Sequence, residues 1–193
     1  MRFNEQIARQ VADVARLLYS RGLTQVKGGN VSVYDRSEGL VYITPTGVPR
    51  HLIKEEDIAI MRIDGTTVVG TPSSEYRLHL SIYRDLQNSI AVVHAHPADL
   101  IALYEAGLTL DIGKLMEAAI RVGCVTDVPA LPPGTEEIAA AAAEALRSSG
   151  CRAAVLRRHG VVAYSEKDAY EALDAVESLA DAARITLLSR TDG

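Results

Sequence analysis

Two histidines one residue apart close an apolar run, Ile90-Ala-Val-Val-His94-Ala-His96-Pro97. Such a run, with β-branched members, reads as a buried strand. Alternate residues of a strand share a face, so His94 and His96 project side by side. Parallel imidazoles on a stiff strand make half of a transition-metal site, Zn²⁺ being the commonest occupant. The bland alternative is a pair of hydrogen-bonded histidines at a strand end. The remaining imidazoles are His51, His79 and His159. His51 lies in a charged, loop-like stretch and reads as solvated. His79 follows Glu75 by four residues, a helical spacing that two ligands can share. Flanked by Leu78, Leu80 and Ile82, it reads instead as a partly buried structural residue. His159 ends an apolar strand and precedes Gly160, where backbone can approach closely. It is the natural third ligand, and three imidazoles leave the open position that catalytic zinc sites keep.

The letters exclude two rival metal folds. A cupin would carry glutamate after three or four intervening residues, where Leu100 and Ile101 stand. An amidohydrolase barrel would open with a similar His-x-His, but early in a chain of well over ~200 residues. Ahead of the histidines, glycines pair with polar residues at Gly29-Asn30 and Thr46-Gly47, and two hydroxyls adjoin at Ser73-Ser74. Exposed backbone N–H groups at a glycine loop or a helix N-terminus cradle anions. Together with a metal site, these clusters point to a phosphorylated small molecule.

These residues need a scaffold. Ile7, Val11, Val14, Ala15 and Leu18 recur at helical spacing, with Gly22 placed to end the helix. Val31–Asp35 and Leu40–Thr44 flank Arg36-Ser37-Glu38-Gly39 as a hairpin, and Asp64-Gly65 turns a second one between Ile58–Ile63 and Thr66–Val69. Thr71-Pro72-Ser73-Ser74-Glu75 opens a helix that carries Leu78, Ile82 and Leu86, with either serine as N-cap. A helix from about Pro97 to Glu105 follows the histidine strand. A short helix near Lys114–Ile120, a strand, and an alanine-rich helix over Thr135–Ser148 come next. Ala153–Leu156 and Val161–Tyr164 read as strands, and the last helix turns Ala169, Leu173, Val176, Ala180 and Leu187 inward. Hairpins mixed with helices, without regular βαβ alternation, predict a largely antiparallel sheet covered by helices. No Gly-x-Gly-x-x-Gly opens a helix after a strand, so a dinucleotide fold has no support.

Length and composition narrow the class. A chain of 193 residues without repeat or linker suits a single domain over 1–193. The net charge of −5, with no basic stripe, argues against nucleic acid. No apolar segment reaches the ~18 residues of a membrane span. The start lacks the apolar core of a signal peptide, so a cytoplasmic protein is expected. Cys124 and Cys151 form no CxxC pair and read as reduced thiols.

Gly29-Asn30-Val-Ser, Ile43-Thr-Pro-Thr-Gly47, Pro72-Ser-Ser-Glu75, Val93-His-x-His96 and Arg158-His-Gly160, in this order and spacing, resemble the class II aldolase/adducin family. The resemblance runs from the first helix to about residue 188. It implies a three-layer α/β/α sandwich around a mainly antiparallel sheet, and a homotetramer with active sites at subunit boundaries. It implies Zn²⁺, or another divalent transition metal, on His94, His96 and His159. Glu75 matches a glutamate that approaches the metal at rest and then acts as acid/base. Gly29, Asn30, Thr46, Gly47, Ser73 and Ser74 match contacts to the substrate phosphate. The implied reaction is carbon–carbon cleavage of a short sugar phosphate. The enediolate of dihydroxyacetone phosphate left behind needs a Lewis acid rather than a Schiff-base lysine. Desolvation is expected to raise Glu75 toward the working range. Family epimerases carry aspartate at this position, so glutamate favours a lyase; decarboxylases and dehydratases are the alternatives. Non-catalytic adducin-type domains lack the histidines retained here. Two departures concern the aldehyde end. One well-known aldolase of the family takes a tyrosine from the neighbouring subunit, in the segment around Lys114-Leu115-Met116, yet no tyrosine occurs between Tyr104 and Tyr164. The chain also stops soon after its last helix, without the tail that carries a further tyrosine.

Overall fold

The computed structural model describes residues 3–189; the outer bounds of the expected domain, and nearly all that follows the last helix, lie outside them. An eight-stranded sheet runs in the order β4-β3-β2-β1-β5-β8-β7-β6. Its strands are β1 (Asn30–Asp35), β2 (Leu40–Ile43), β3 (Ala59–Arg62), β4 (Thr67–Val69), β5 (Ala91–Ala95), β6 (Val125–Val128), β7 (Ala153–Leu156) and β8 (Gly160–Ser165). Only β6 and β7 pair in parallel; the other pairings are antiparallel. The mainly antiparallel α/β architecture expected from the sequence is therefore the one observed.

Helices α1 (Glu5–Ser20), α3 (Ala98–Glu105), α4 (Met116–Arg121) and α6 (Ala169–Leu188) contribute to the core on one face. Helices α2 (Tyr76–Asp85) and α5 (Glu136–Ser149) cover the other. Strand alternation divides the residues between the two cores. Val31, Val33, Ala91, Val93, Val161 and Ala163 face the first, while Val41, Val92, Ala154 and Val162 face the second. A sheet covered on both faces buries every residue of β5, which is why its sequence shows no polar alternation.

Several elements close as their end signals require. Gly22 takes a left-handed φ of 70° beyond α1, and Thr135 and Asp168 cap α5 and α6 through their side chains. The serine cap expected on α2 is corrected. Glu75 holds the N-cap position without a side-chain cap bond, while Ser73 Oγ accepts from the Glu75 N–H at 3.3 Å. The chain is pinned upstream, where Pro45 bridges Pro72 and Ser73 N–H donates to the Thr44 carbonyl. The helix consequently starts one residue late.

The expectation of two free thiols is also corrected, because Cys124 and Cys151 form a disulfide with Cα atoms 5.2 Å apart. They precede β6 and β7, whose parallel register sets Val125 opposite Ala153. Twenty-seven positions of sequence hide that proximity.

Candidate active site

Strand pairing assembles the imidazoles. Asn30 lies opposite His94 across β1 and β5, and His94 lies opposite Val162 across β5 and β8. His159 sits in the three-residue connection between β7 and β8, whose register joins Leu156 to Gly160. Two backbone features aim it inward. Arg158 has φ 62°, the only left-handed non-glycine among the described residues, a conformation costing an L-residue about 1–2 kcal/mol. Gly160 approaches β5 so closely that a Cβ would stand 2.1 Å from the Ala95 carbonyl oxygen, so no other residue fits.

The His94 Nε2 atom lies 2.9 Å from His96 Nε2 and 3.3 Å from His159 Nε2. Glu75 reaches the same point, with Oε2 3.4 Å from His94 Nε2 and Oε1 3.2 Å from His159 Nε2. One ligand atom from each residue falls within 4.8 Å of all the others. Tetrahedral ligands ~2.0–2.1 Å from a zinc ion lie roughly 3.3 Å from one another, so the spacing suits a metal. The tautomers agree. His94 Nδ1 donates to the Val161 carbonyl at 2.9 Å, and His96 Nδ1 faces Gln25 Oε1 at 3.0 Å. Protons on both Nδ1 atoms leave the Nε2 lone pairs pointing inward, as metal ligation requires. Three convergent imidazoles and a carboxylate can thus hold a metal ion.

Burial depresses His96 to about 3, with His94 and His159 adding to the effect, so His96 is a neutral donor. For Glu75, burial pushes the carboxyl up, but the imidazoles of His94 and His159 outweigh it and hold the group below its usual range. The expectation that desolvation would raise Glu75 is corrected: it is an ionised base at neutral pH.

The cluster opens onto a cleft of about 470 Å³. Gly29, Asn30, Thr46, Gly47, Ser73 and Ser74 all line it, beside Glu75, His96 and His159. Thr46 and Ser74 are exposed, whereas Asn30 is buried and donates Nδ2–H to Glu75 Oε2 at 2.8 Å. Gly28 and Gly29 have no room for side chains; a Cβ would meet His96 Nδ1 at 2.9 Å in the first and the His94 carbonyl at 2.9 Å in the second. His79 stands apart from the metal cluster. It is fully buried rather than partly so, and bonds to Ser32 and Asn30. His51 is exposed, as expected, with its ring 5.0 Å from that of Tyr19.

Sequence reasoning missed Arg50. Its guanidinium, buried beneath the loops, donates to the carbonyls of Gly28, Gly29, Pro45 and Val48 at 2.8–3.2 Å. Burial lowers it to about 10, with Glu75 acting the other way, so it keeps its charge at neutral pH. One residue thereby ties the Gly28-Gly29 loop to the Pro45–Val48 loop. Carbonyl partners leave no mark in a sequence. Gln25, which faces His96, and Lys27 and Gly134, which line the cleft, were missed as well.

The family model for the class II aldolase and adducin N-terminal domain matches residues 9–187. The chain belongs to the class II aldolase/adducin family. It is 34% identical over 175 residues to an L-fuculose phosphate aldolase of Methanococcus maripaludis, covering 91% of this chain and 93% of the relative. It is 33% identical over 158 residues to a 5-deoxy-D-ribulose 1-phosphate aldolase of Bacillus thuringiensis, covering 80% and 72%. A solved structure of L-fuculose 1-phosphate aldolase superposes with a TM-score of 0.88 at 32% identity, covering 99% of this chain and 89% of that one. The sandwich implied by the motifs is thus the family's fold.

Proposed function

We propose that this chain is a metal-dependent aldolase that cleaves or forms a carbon–carbon bond in a short sugar phosphate. One observation carries the reading: three imidazole Nε2 atoms and the Glu75 carboxylate converge within 4.8 Å at a cleft whose rim is Gly29-Asn30, Thr46-Gly47 and Ser73-Ser74. The nitrogen-rich donor set suits Zn²⁺. Bound by His94, His96 and His159, with Glu75 as a further ligand at rest, the ion would supply a Lewis acid for the substrate's ketone and neighbouring hydroxyl oxygens. Glu75 is the proton carrier. In the condensing direction its carboxylate takes the proton from the carbon beside the ketone of dihydroxyacetone phosphate, and in cleavage it returns it. The rim residues bind the phosphate, with the buried charge of Arg50 beneath them.

The aldehyde end is less furnished. No tyrosine occurs between Tyr104 and Tyr164, and Met116, in the segment where one well-known family aldolase places its tyrosine, is 73% exposed. We therefore assign strict donor recognition and loose aldehyde selectivity. Met116 and Ile120, both over 70% exposed on α4, fit a face covered by a second subunit in a cytoplasmic homotetramer.

The test is turnover of a panel of sugar 1-phosphates by zinc-loaded protein, with release of dihydroxyacetone phosphate as the readout. Condensation of that product with lactaldehyde and glycolaldehyde should give mixed diastereomers. Failure to exchange the C3 proton of dihydroxyacetone phosphate with solvent would remove the aldolase reading and leave decarboxylase or dehydratase.

A further inference from the structure

A line of hydrogen bonds runs from the protein interior to Glu75. The Tyr83 hydroxyl lies 2.7 Å from Ser32 Oγ, and Ser32 Oγ lies 2.6 Å from His79 Nδ1. His79 Nε2 lies 2.5 Å from Asn30 Oδ1, and Asn30 Nδ2 lies 2.8 Å from Glu75 Oε2. Asn30, Ser32, His79 and Tyr83 are each at most 2% exposed. Water therefore does not compete for these groups, and each must be satisfied by its neighbours.

One arrangement of hydrogens satisfies the whole line. An ionised Glu75 only accepts, so Asn30 turns Nδ2 toward it and Oδ1 toward His79. That oxygen requires a hydrogen on His79 Nε2. A neutral imidazole then accepts at Nδ1 from the Ser32 hydroxyl, whose oxygen accepts in turn from Tyr83. Burial, which depresses His79 to about 3, keeps the ring neutral. The opposite tautomer would turn the Asn30 amide over and set Oδ1 against the carboxylate, two acceptors less than 3 Å apart.

We propose that His79, backed by Ser32 and Tyr83, is a positioning residue that locks the Asn30 amide and thereby holds the Glu75 carboxylate. The proposal rests on the reading of Glu75 as the proton carrier. The lock engages Oε2 alone among the carboxylate oxygens, while Oε1 faces His159 at 3.2 Å. The carboxylate thus keeps its orientation while it exchanges a proton. Asn30 then has two tasks, since the same residue lines the proposed phosphate pocket.

Imidazole nitrogen NMR on ¹⁵N-labelled protein reads the tautomer without any assay. A hydrogen fixed on His79 Nε2 is expected; a hydrogen on Nδ1, or averaging between the two, would overturn the proposal. Kinetics on the zinc-loaded protein give the second arm. His79→Leu should lower kcat by about 10–100-fold, the usual cost of losing a partner behind a ligand or base, with zinc content little changed and KM for a phosphorylated substrate raised as Asn30 loosens. His79→Gln, which can still donate to Asn30, should recover most of that loss. Should the leucine variant not fold, Ser32→Ala, which frees Nδ1, should lower kcat in the same sense. Unchanged kcat in a folded variant of either kind refutes the positioning role. Near-normal turnover by Glu75→Gln beside an intact Nε2–H tautomer would sink the assignment of Glu75 and the positioning role with it.

Discussion

On one wall of the cleft, His94 sits inside the sheet with β1 on one side and β8 on the other. Elsewhere along the cleft, the Gly28-Gly29 and Pro45–Val48 loops lie outside the strands and turn carbonyls onto Arg50. The imidazole wall is thus fixed by strand register, which many hydrogen bonds share. The proposed phosphate wall has a few backbone ties, among them Thr46 N–H to the Thr71 carbonyl and the Pro45–Pro72 bridge, and one buried guanidinium whose bonds are lost together. Redundancy suits groups that must keep sub-ångström spacing for a metal. A side-chain tether beneath loops suits a surface that must adapt to a substrate phosphate.

The sharpest way to break this contrast is to remove one imidazole. His94→Ala should abolish stoichiometric zinc binding and lower turnover by at least ~10³-fold, since the Lewis acid and the partner of Glu75 go together. Circular dichroism should show an intact fold, because strand pairing holds the wall. A variant that kept its zinc and its activity would show that the cluster is not the metal site.

Next in size is Arg50→Met. It leaves several buried carbonyls without donors at roughly 1–3 kcal/mol each, so a loss of about 2–5 kcal/mol in stability is expected. KM for a phosphorylated substrate should rise more than for its dephosphorylated counterpart, with zinc content unchanged. Loss of zinc in this variant, measured by elemental analysis, would show that the two walls are coupled rather than separately built.

The last effect shows only in acid and leaves the protein at neutral pH unchanged. His79 is fully buried, with its pKa lowered by burial to about 3 from 6.5. The unfolded chain therefore binds more protons between these values. Its contribution to stability is fully present above pH 6.5 and is lost as pH falls toward 3, by about 1.4 kcal/mol per unit. Denaturant titrations of metal-free protein across this range should show that dependence, and His79→Gln should flatten it. An equal slope in both proteins would assign the acid sensitivity to other groups.

The motifs that carry chemistry were legible because they are local. His94 and His96 share a face by strand period alone, and Gly160 announces a close approach of backbone. The caps of α5 and α6 by Thr135 and Asp168 are just as local, although sequence reasoning named neither as a cap. Three features were illegible because their causes are distant in the chain. The disulfide depends on the parallel register of β6 against β7. The depressed pKa of Glu75 depends on imidazoles from β5 and from the β7–β8 connection, which reverse what burial alone would do. Arg50 and the line from Tyr83 to Glu75 depend on which carbonyls and side chains the loops and α2 bring within 3.2 Å. Sequence by itself determined which residues could ligate a metal and which elements bear them, because residue type and local period suffice for that. Only the tertiary structure decided their protonation, tautomer and orientation, because these follow from burial and hydrogen-bond partners supplied from elsewhere in the fold.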